Sequence, residues 1–180
     1  MELAIKKINR AVENFIDKGN YQYAPSKYVF DYVSDKDYVY MIVEMHYIIR
    51  VPRKDVPQIL SASASPMIKT DFQAEQQILG LIDNTKQVDY TLENVVDENG
   101  LKLAIFIDDA GHEIVVNAKF FKQFYNSNII DKGVPENVLF TGDGTAKSWK
   151  YPLLMWENDE VVGVFCPVKR IKNSYQEKSC

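Results

Sequence analysis

The hydrophobic pattern at the start of the chain predicts an amphipathic helix over residues 5–16. Apolar residues recur there every three or four positions, a spacing that places their side chains on one helical face. These residues are Ile5, Ile8, Val12, Phe15 and Ile16. Gly19 and Asn20 are residues that commonly end a helix, so the predicted helix ends before them. The other helical face is basic, since it carries Lys6, Lys7 and Arg10.

From Tyr28 the pattern becomes that of strands. β-Branched and aromatic residues dominate 28–33 and 38–51, on either side of a polar turn, and this composition favours a hairpin. We expect the longer run to bend into two strands near His46. Beyond Pro52, Asp55 is a plausible N-cap for a short helix that runs to Leu60. A loop is then predicted at 61–66, an edge strand at 67–72 and a helix at 74–84.

A second set of strands is predicted from Tyr90 onwards. Asn99 and Gly100 suit the positive φ angles of a tight turn, so 90–96 and 101–107 are expected to form a hairpin. Asn117 is a suitable N-cap for a helix over 118–125. The remaining predicted strands are 112–116, 137–141, 152–156 and 161–168.

This order of elements predicts an α+β fold of antiparallel sheets with a few helices packed on one face. Residues 1–171 are expected to form a single domain, with 61–66 as the point where it could divide, and 172–180 a flexible tail. The strand and helix after His46 resemble the strand and helix after His112. The pattern therefore raises the hypothesis of a duplicated hairpin and helix unit.

Composition narrows the class of protein. The chain has 180 residues, 46% of them hydrophobic and 26% charged, with a formal net charge of −4. These values are typical of globular proteins and argue against wholesale coating of nucleic acid. The start of the chain lacks a secretory pattern, and no run approaches a membrane span. With Cys166 and Cys180 poorly placed for a disulfide framework, we expect a cytoplasmic protein with no membrane partner.

Candidate chemistry is sparse. His46 and His112 lie in apolar strands without zinc-ligand spacing, so neither a catalytic nor a metal site is predicted, and no cofactor. The glycine-rich stretch at 142–145 lacks the lysine and hydroxyl pair of a phosphate-binding loop and is interpreted as a turn. Cys166, within an apolar run, is interpreted as a buried thiol. A non-enzymatic binding protein is therefore expected.

Tyrosine residues crowd the first strand region, with lysines and arginines between them. Exposed tyrosines could form an interaction surface for a protein or a stacking platform for single-stranded nucleic acid. Alternation along the strands requires some of the rings to face inward. The residues predicted for this surface are Tyr28, Tyr38, Tyr40 and Tyr47.

The second half of the chain carries a resemblance to a known family. A strand ending at Asn117, a following helix, the runs Val138-Leu139-Phe140 and Tyr151-Pro152-Leu153-Leu154, and an ending at 164–170 resemble the closing unit of a bacterial sliding clamp domain. Cys166 stands where that family has a methionine, and 180 residues is shorter than its usual subunit.

The resemblance implies a ring that encloses duplex DNA with basic helices, and therefore a homo-oligomer. Such contacts go to phosphate and do not read bases. The residues it implicates are Lys6, Lys7, Arg10, Arg53, Lys54, Lys119 and Lys122. The hypotheses are a DNA-replication accessory or clamp-like processivity factor of phage or mobile-element type, a protein-interaction or inhibitor module, or a single-strand binder.

Overall fold

The computed structural model describes residues 6–8, 30–31, 37–43, 47–55, 80–124, 129–146 and 150–170. These residues form nine strands: β1 (Phe30–Asp31), β2 (Tyr38–Val43), β3 (Tyr47–Pro52), β4 (Val88–Glu98), β5 (Leu101–Ile107), β6 (Glu113–Asn117), β7 (Val138–Gly142), β8 (Leu153–Glu157) and β9 (Glu160–Phe165). The helical elements are two 3-10 helices, Arg53–Asp55 and Ala118–Gln123, an α-helix, Ile129–Lys132, and the helical residues 6–8 and 80–84.

Every neighbouring pair of strands is antiparallel, in the order β1-β2-β3-β9-β8-β7-β4-β5-β6. The long apolar run of the first half is indeed two strands, β2 and β3, paired from Tyr38 with Pro52 to Val43 with Tyr47. The predicted antiparallel α+β class is confirmed. The predicted duplication stays a hypothesis.

Strand β4 connects two parts of the sheet. Its first residues, 88–90, pair with β7, whereas residues from Thr91 onwards pair with β5 on the other edge. Glu93 has no partner in the β5 register, because Leu92 pairs with Phe106 and Asn94 with Ile105. Such an extra residue is a β-bulge, which bends a strand and increases its twist. β4 therefore turns away from β7.

The chain after β9 returns to the edge of the sheet. The Val168 N–H donates to the Val115 carbonyl at 2.7 Å, so this segment lies beside β6. Arg170 then pairs with Glu98, at the end of β4. The strands from β9 round to β6 therefore curl until the segment after β9 meets the far edge.

Alternation along the strands divides the apolar side chains between two faces. In β8, Leu153 and Met155 enter the main core, whereas Leu154 packs on the opposite face. Ile82, in the helical residues 80–84, packs against that opposite cluster. The 3-10 helix Ala118–Gln123 packs against the main core. Helical segments, expected on one face, therefore lie on both.

Aromatic rings fill the main core. Phe121 contacts Phe106, Phe140 and Phe165, with ring centroids 4.8 to 5.9 Å apart. The geometries range from tilted to edge-to-face, which aromatic quadrupoles favour over a face-to-face sandwich. Phe121 is 1% exposed. This cluster fixes the 3-10 helix Ala118–Gln123 against strands β5, β7 and β9.

The local predictions from turn and cap residues are confirmed. Asn99 and Gly100, with φ angles of 52° and 77°, connect β4 to β5. The predicted turn between the last two strands also has positive φ, at Asn158 and Asp159. Asn117 caps the following helix, because its side chain accepts from the Lys119 N–H at 3.0 Å.

Two local predictions need correction. The helix after Asn117 is a 3-10 helix that ends at Gln123, since Phe124 returns to an extended conformation. Cys166 is exposed because β9 ends at Phe165, before the thiol could enter the core. The helix predicted to follow Asp55 up to Leu60 lies outside the described residues, in which Asp55 ends the 3-10 helix Arg53–Asp55.

Other predictions fall outside the described residues. They concern Arg10, Tyr28, the loop at 61–66, the strand at 67–72 and the tail at 172–180. Within the described residues, no helix is long and apolar enough to cross a bilayer.

Candidate functional site

The basic residues predicted to contact DNA are on the surface wherever their side chains are described. Lys6, Lys7, Lys54, Lys119 and Lys122 are all exposed. The structure describes only the backbone of Arg53, at the start of its 3-10 helix. Exposure leaves these lysines accessible to a polyanion.

The geometry of the 3-10 helix Ala118–Gln123 brings two of these lysines together. In a 3-10 helix, residues three apart are eclipsed and about 6 Å apart along the axis. Lys119 and Lys122 therefore share one edge, while Ala118, Phe120 and Phe121 are buried. The first turn contains no acidic residue. This edge is a rigidly supported pair of positive charges.

The end of the same helix lies beside the end of β3. The Phe120 ring stacks on Tyr47 at the start of β3, with centroids 4.5 Å apart. Phe124 and Pro52 line a common cavity of about 240 Å³, together with Arg50 and the carboxylates Glu157 and Glu160. Arg53 and Lys54 directly follow Pro52. We call Arg53, Lys54, Lys119 and Lys122 the basic edge.

Negative charge predominates in the part of the chain that precedes the helix Ala118–Gln123. Residues 80–117 contain eight carboxylates and only two lysines. A chain with a net charge of −4 therefore distributes its charges unevenly between the part around β4 to β6 and the basic edge. Such a distribution orients a protein toward a charged partner.

The tyrosines predicted for an interaction surface are not all available. Tyr47 is 1% exposed and stacks between Phe120 and Phe165, so it belongs to the core and must be removed from that surface. Tyr38 is half-buried. The side chain of Tyr40 and the whole of Tyr28 lie outside what the structure describes.

Tyr38 is covered by a cation. The Arg50 guanidinium lies 3.6 Å from the centroid of its ring and also pairs with Glu160. Burial alone would lower the pKa of Arg50, but its hydrogen bonds to Glu160 and Tyr38 outweigh burial and raise that pKa above its ordinary value. The guanidinium therefore makes a cation–π contact with one face of the Tyr38 ring. That face is not available for stacking with a base.

A buried polar group closes the turn between β5 and β6. Asp108 Oδ1 accepts from the backbone N–H groups of Ala110 and His112, at 3.0 and 2.7 Å, and its Oδ2 lies 2.8 Å from His112 Nδ1. Burial would raise the pKa of Asp108, but the hydrogen bonds from His112 and Ala110 lower it overall. Asp108 is therefore a turn-stabilising carboxylate, and this explains the position of His112.

Tyr90 lies at the same end of the strands. Its hydroxyl is buried without a hydrogen bond of normal geometry, although it faces Asp108 and the backbone of Gly144. Desolvation, followed by the charge of Asp108, raises the pKa of Tyr90 to about 12. Tyr90 therefore stays protonated at neutral pH and cannot serve as a general base there.

The glycine-rich stretch at 142–145 begins in β7 and continues as irregular chain, and its two glycines have structural explanations. Gly142 ends β7, and a Cβ there would lie 2.4 Å from Ile114 Cδ1. Gly144 has a φ of 66°, and a Cβ there would lie 2.7 Å from Val88 Cγ2. Close packing and a left-handed conformation therefore explain both glycines.

The described residues contain no group of three or more histidine, cysteine or acidic side chains arranged to hold a metal ion. Comparison with protein-family models, with curated proteins and with solved structures found no match to this chain. The resemblance to a sliding clamp domain therefore stays a prediction from the sequence.

Proposed function

We propose that this protein is a non-enzymatic DNA-binding accessory protein that contacts the phosphate backbone of duplex DNA through the basic edge. The observation that carries this proposal is the pair Lys119 and Lys122 on one edge of a helix whose other side is packed into the aromatic core. Arg53 and Lys54 follow the strand on which that helix packs.

Contacts of this kind are independent of base sequence. Lysines neutralise phosphates and release counterions, which makes affinity fall steeply with salt. A rigid support lowers the entropy that must be lost when the charges are fixed against DNA. A role in replication, and assembly into a ring, rest on the sequence resemblance alone and are part of the proposal.

The other hypotheses are less favoured as the main function. A single-strand binder would need exposed rings, but Tyr47 is buried and Tyr38 is covered by Arg50. A protein-interaction module is the second candidate, because the strand edges beside β4 offer a surface distinct from the basic edge.

The proposal is tested by binding a labelled duplex of random sequence over a range of salt concentrations. Each phosphate contact contributes about 0.9 to the slope of log affinity against log salt. The double variant Lys119→Ala/Lys122→Ala should therefore reduce the slope by roughly 2.

The matched control is Lys86→Ala/Lys169→Ala, which removes the same charge from exposed positions outside the helix Ala118–Gln123 and the elements that contact it. It should leave the slope close to that of the native protein. Equal slopes for both double variants, or no binding at low salt, would contradict the proposal.

A further inference from the structure

The divergence of β4 from β7 creates a cleft with two unpaired strand edges. The last pair between these strands is Tyr90 with Phe140. Beyond it, β4 pairs only with β5 and β7 only with β8 among the described residues. Thr91 and the residues after it on β4 therefore face only Val138 and Leu139 on β7, and the Val138 N–H already donates to the Pro135 carbonyl at 3.0 Å. These edges bound an opening of about 250 Å³.

The cleft is largely apolar. It is lined by Leu92, Val134, Val138, Leu139 and Phe140, together with Asp89 to Thr91. Leu139 is 45% exposed, which is unusual for a leucine in the middle of a strand. A space of this size is below the range of roughly 300–1,000 Å³ typical of small-molecule pockets. It is better matched to one or two apolar side chains.

The charges at this cleft are predominantly negative. Asp89 lines it, Glu93 is the bulged residue that follows Leu92, and Glu136 lies in the loop between Val134 and Val138. Described cations near this loop are Lys132, exposed at the end of the α-helix before it, and Lys102, which pairs with Asp131 of that helix at 4.0 Å. The chemistry complementary to this cleft is therefore an apolar side chain flanked by positive charges.

We propose that the cleft between β4 and β7 binds an extended, basic segment of a partner protein as an added strand. Main-chain hydrogen bonds to an open edge supply affinity in this mode, and pockets for alternate side chains supply specificity. The apolar side chain of the segment enters the cleft, and its lysines or arginines face Asp89 and Glu93. This inference does not depend on the proposed binding of DNA.

One other occupant and one other role for the carboxylates fit less well. A second copy of this chain would bring the carboxylates of two β4 strands together, and like charges on facing strands are destabilising. The same carboxylates could instead serve only to prevent edge-to-edge aggregation, a common device at exposed edges. The second idea predicts self-association when the charges are removed, without any specific binding of a basic segment.

The test is an amide NMR titration of the full chain with a capped peptide, Lys-Val-Lys-Leu-Lys-Val, against the acidic peptide Glu-Val-Glu-Leu-Glu-Val. The basic peptide should shift the amides of 91–93 and 138–140 and protect those of the open β4 edge, 91–93, from hydrogen exchange. The acidic peptide should not. The double variant Asp89→Asn/Glu93→Gln should bind the basic peptide about three- to tenfold more weakly, as expected for two partly solvated ion pairs.

The matched control is Asp109→Asn/Asp159→Asn, which removes two exposed carboxylates from turns that do not line the cleft. It should leave the affinity unchanged. Shifts scattered over the surface, equal responses to the two peptides, or equal weakening in both variants would overturn the proposal. Shifts at 91–93 that grow with protein concentration in the absence of peptide would overturn it in favour of a second copy.

Discussion

The basic edge and the cleft beside β4 differ in what lies beneath their charges. Lys119 and Lys122 stand on a short helix whose buried rings pack into the core. Asp89 lies where β4 still pairs with β7, and Glu93 lies where β4 has left it. The first surface carries its charges on a helix that is packed into the core. The second carries its charges beside strand backbone groups that can still form hydrogen bonds with an added strand.

This difference suggests two kinds of recognition. A rigid row of cations suits a regular polyanion, which needs no adaptation of the backbone. An open strand edge suits a segment that becomes ordered as it binds. The opposite charges distinguish the two surfaces, but they do not show whether the neighbouring backbone can pair with a partner; that depends on the structure beneath each cluster.

The largest expected effect comes from removing the support of the basic edge. Phe121→Ala deletes a ring that is 1% exposed and contacts three other phenylalanines, and we expect a loss of about 3–5 kcal/mol in the free energy of unfolding. Urea denaturation measures this change. Lys122→Ala, on the exposed edge of the same helix, should change stability by less than about 0.5 kcal/mol. Similar losses for both variants would contradict the packing described.

The junction at which the cleft begins is sensitive to a single methyl group. Gly142→Ala would place a Cβ 2.4 Å from Ile114 Cδ1 and 2.8 Å from Tyr90 Cε2, and such overpacking costs about 1–3 kcal/mol. Thermal unfolding should show the loss. Gly80→Ala meets only Asn84 Nδ2, at 3.7 Å, in a helical segment, so it should be neutral or stabilising. A neutral Gly142→Ala would show that β4, β6 and β7 are not held together as described.

Acid should weaken the turn beside the same junction. Because the folded-state pKa of Asp108 is lowered, its contribution is present above its unfolded value of about 3.9 and is lost as the pH falls through the folded value. Asp108→Asn should therefore cost about 1–3 kcal/mol at pH 7, and the difference from the native protein should shrink below about pH 4. Urea midpoints at both pH values measure it. Asp109→Asn, an exposed neighbour, is the control, and a difference that is constant with pH would refute the assignment.

The smallest effect is expected where the chain after β9 meets β4. The side chains of Arg170 and Glu98 are 24% and 35% exposed, and partly solvated pairs contribute roughly 0.2–1 kcal/mol. Glu98→Gln should lower stability within that range, and added salt should reduce the loss. A double-mutant cycle with Arg170→Gln isolates the pair. A coupling energy of zero would show that this segment is held without the pair, by contacts such as the backbone bond from Val168 to Val115 and the packing of Val168.

Local structure was the part that the sequence predicted well. Asn99 and Gly100 predicted their turn because few residues adopt positive φ, and Asn117 predicted a cap because its side chain satisfies a free N–H group. The antiparallel class followed from the order of hairpins and single helices. These inferences concern residues that are close together in the chain.

Non-local pairing was the part that could not be predicted. Nothing in residues 88–92 indicates that β4 pairs first with β7 and then with β5, because that choice depends on strands up to 54 residues away. The burial of Tyr47 depends in the same way on Phe120 and Phe165. The cleft was therefore not predicted from the sequence, although the alternation of acidic and apolar residues along 89–93 was a signal for a charged edge.

The most direct test of the central claim is an amide NMR titration of the full chain with a short DNA duplex at low salt. Shifts should concentrate at 53–55 and 118–124, leave 91–93 unchanged, and disappear as salt is raised. Shifts centred on 91–93, or none at either surface, would contradict the assignment of DNA binding to the basic edge.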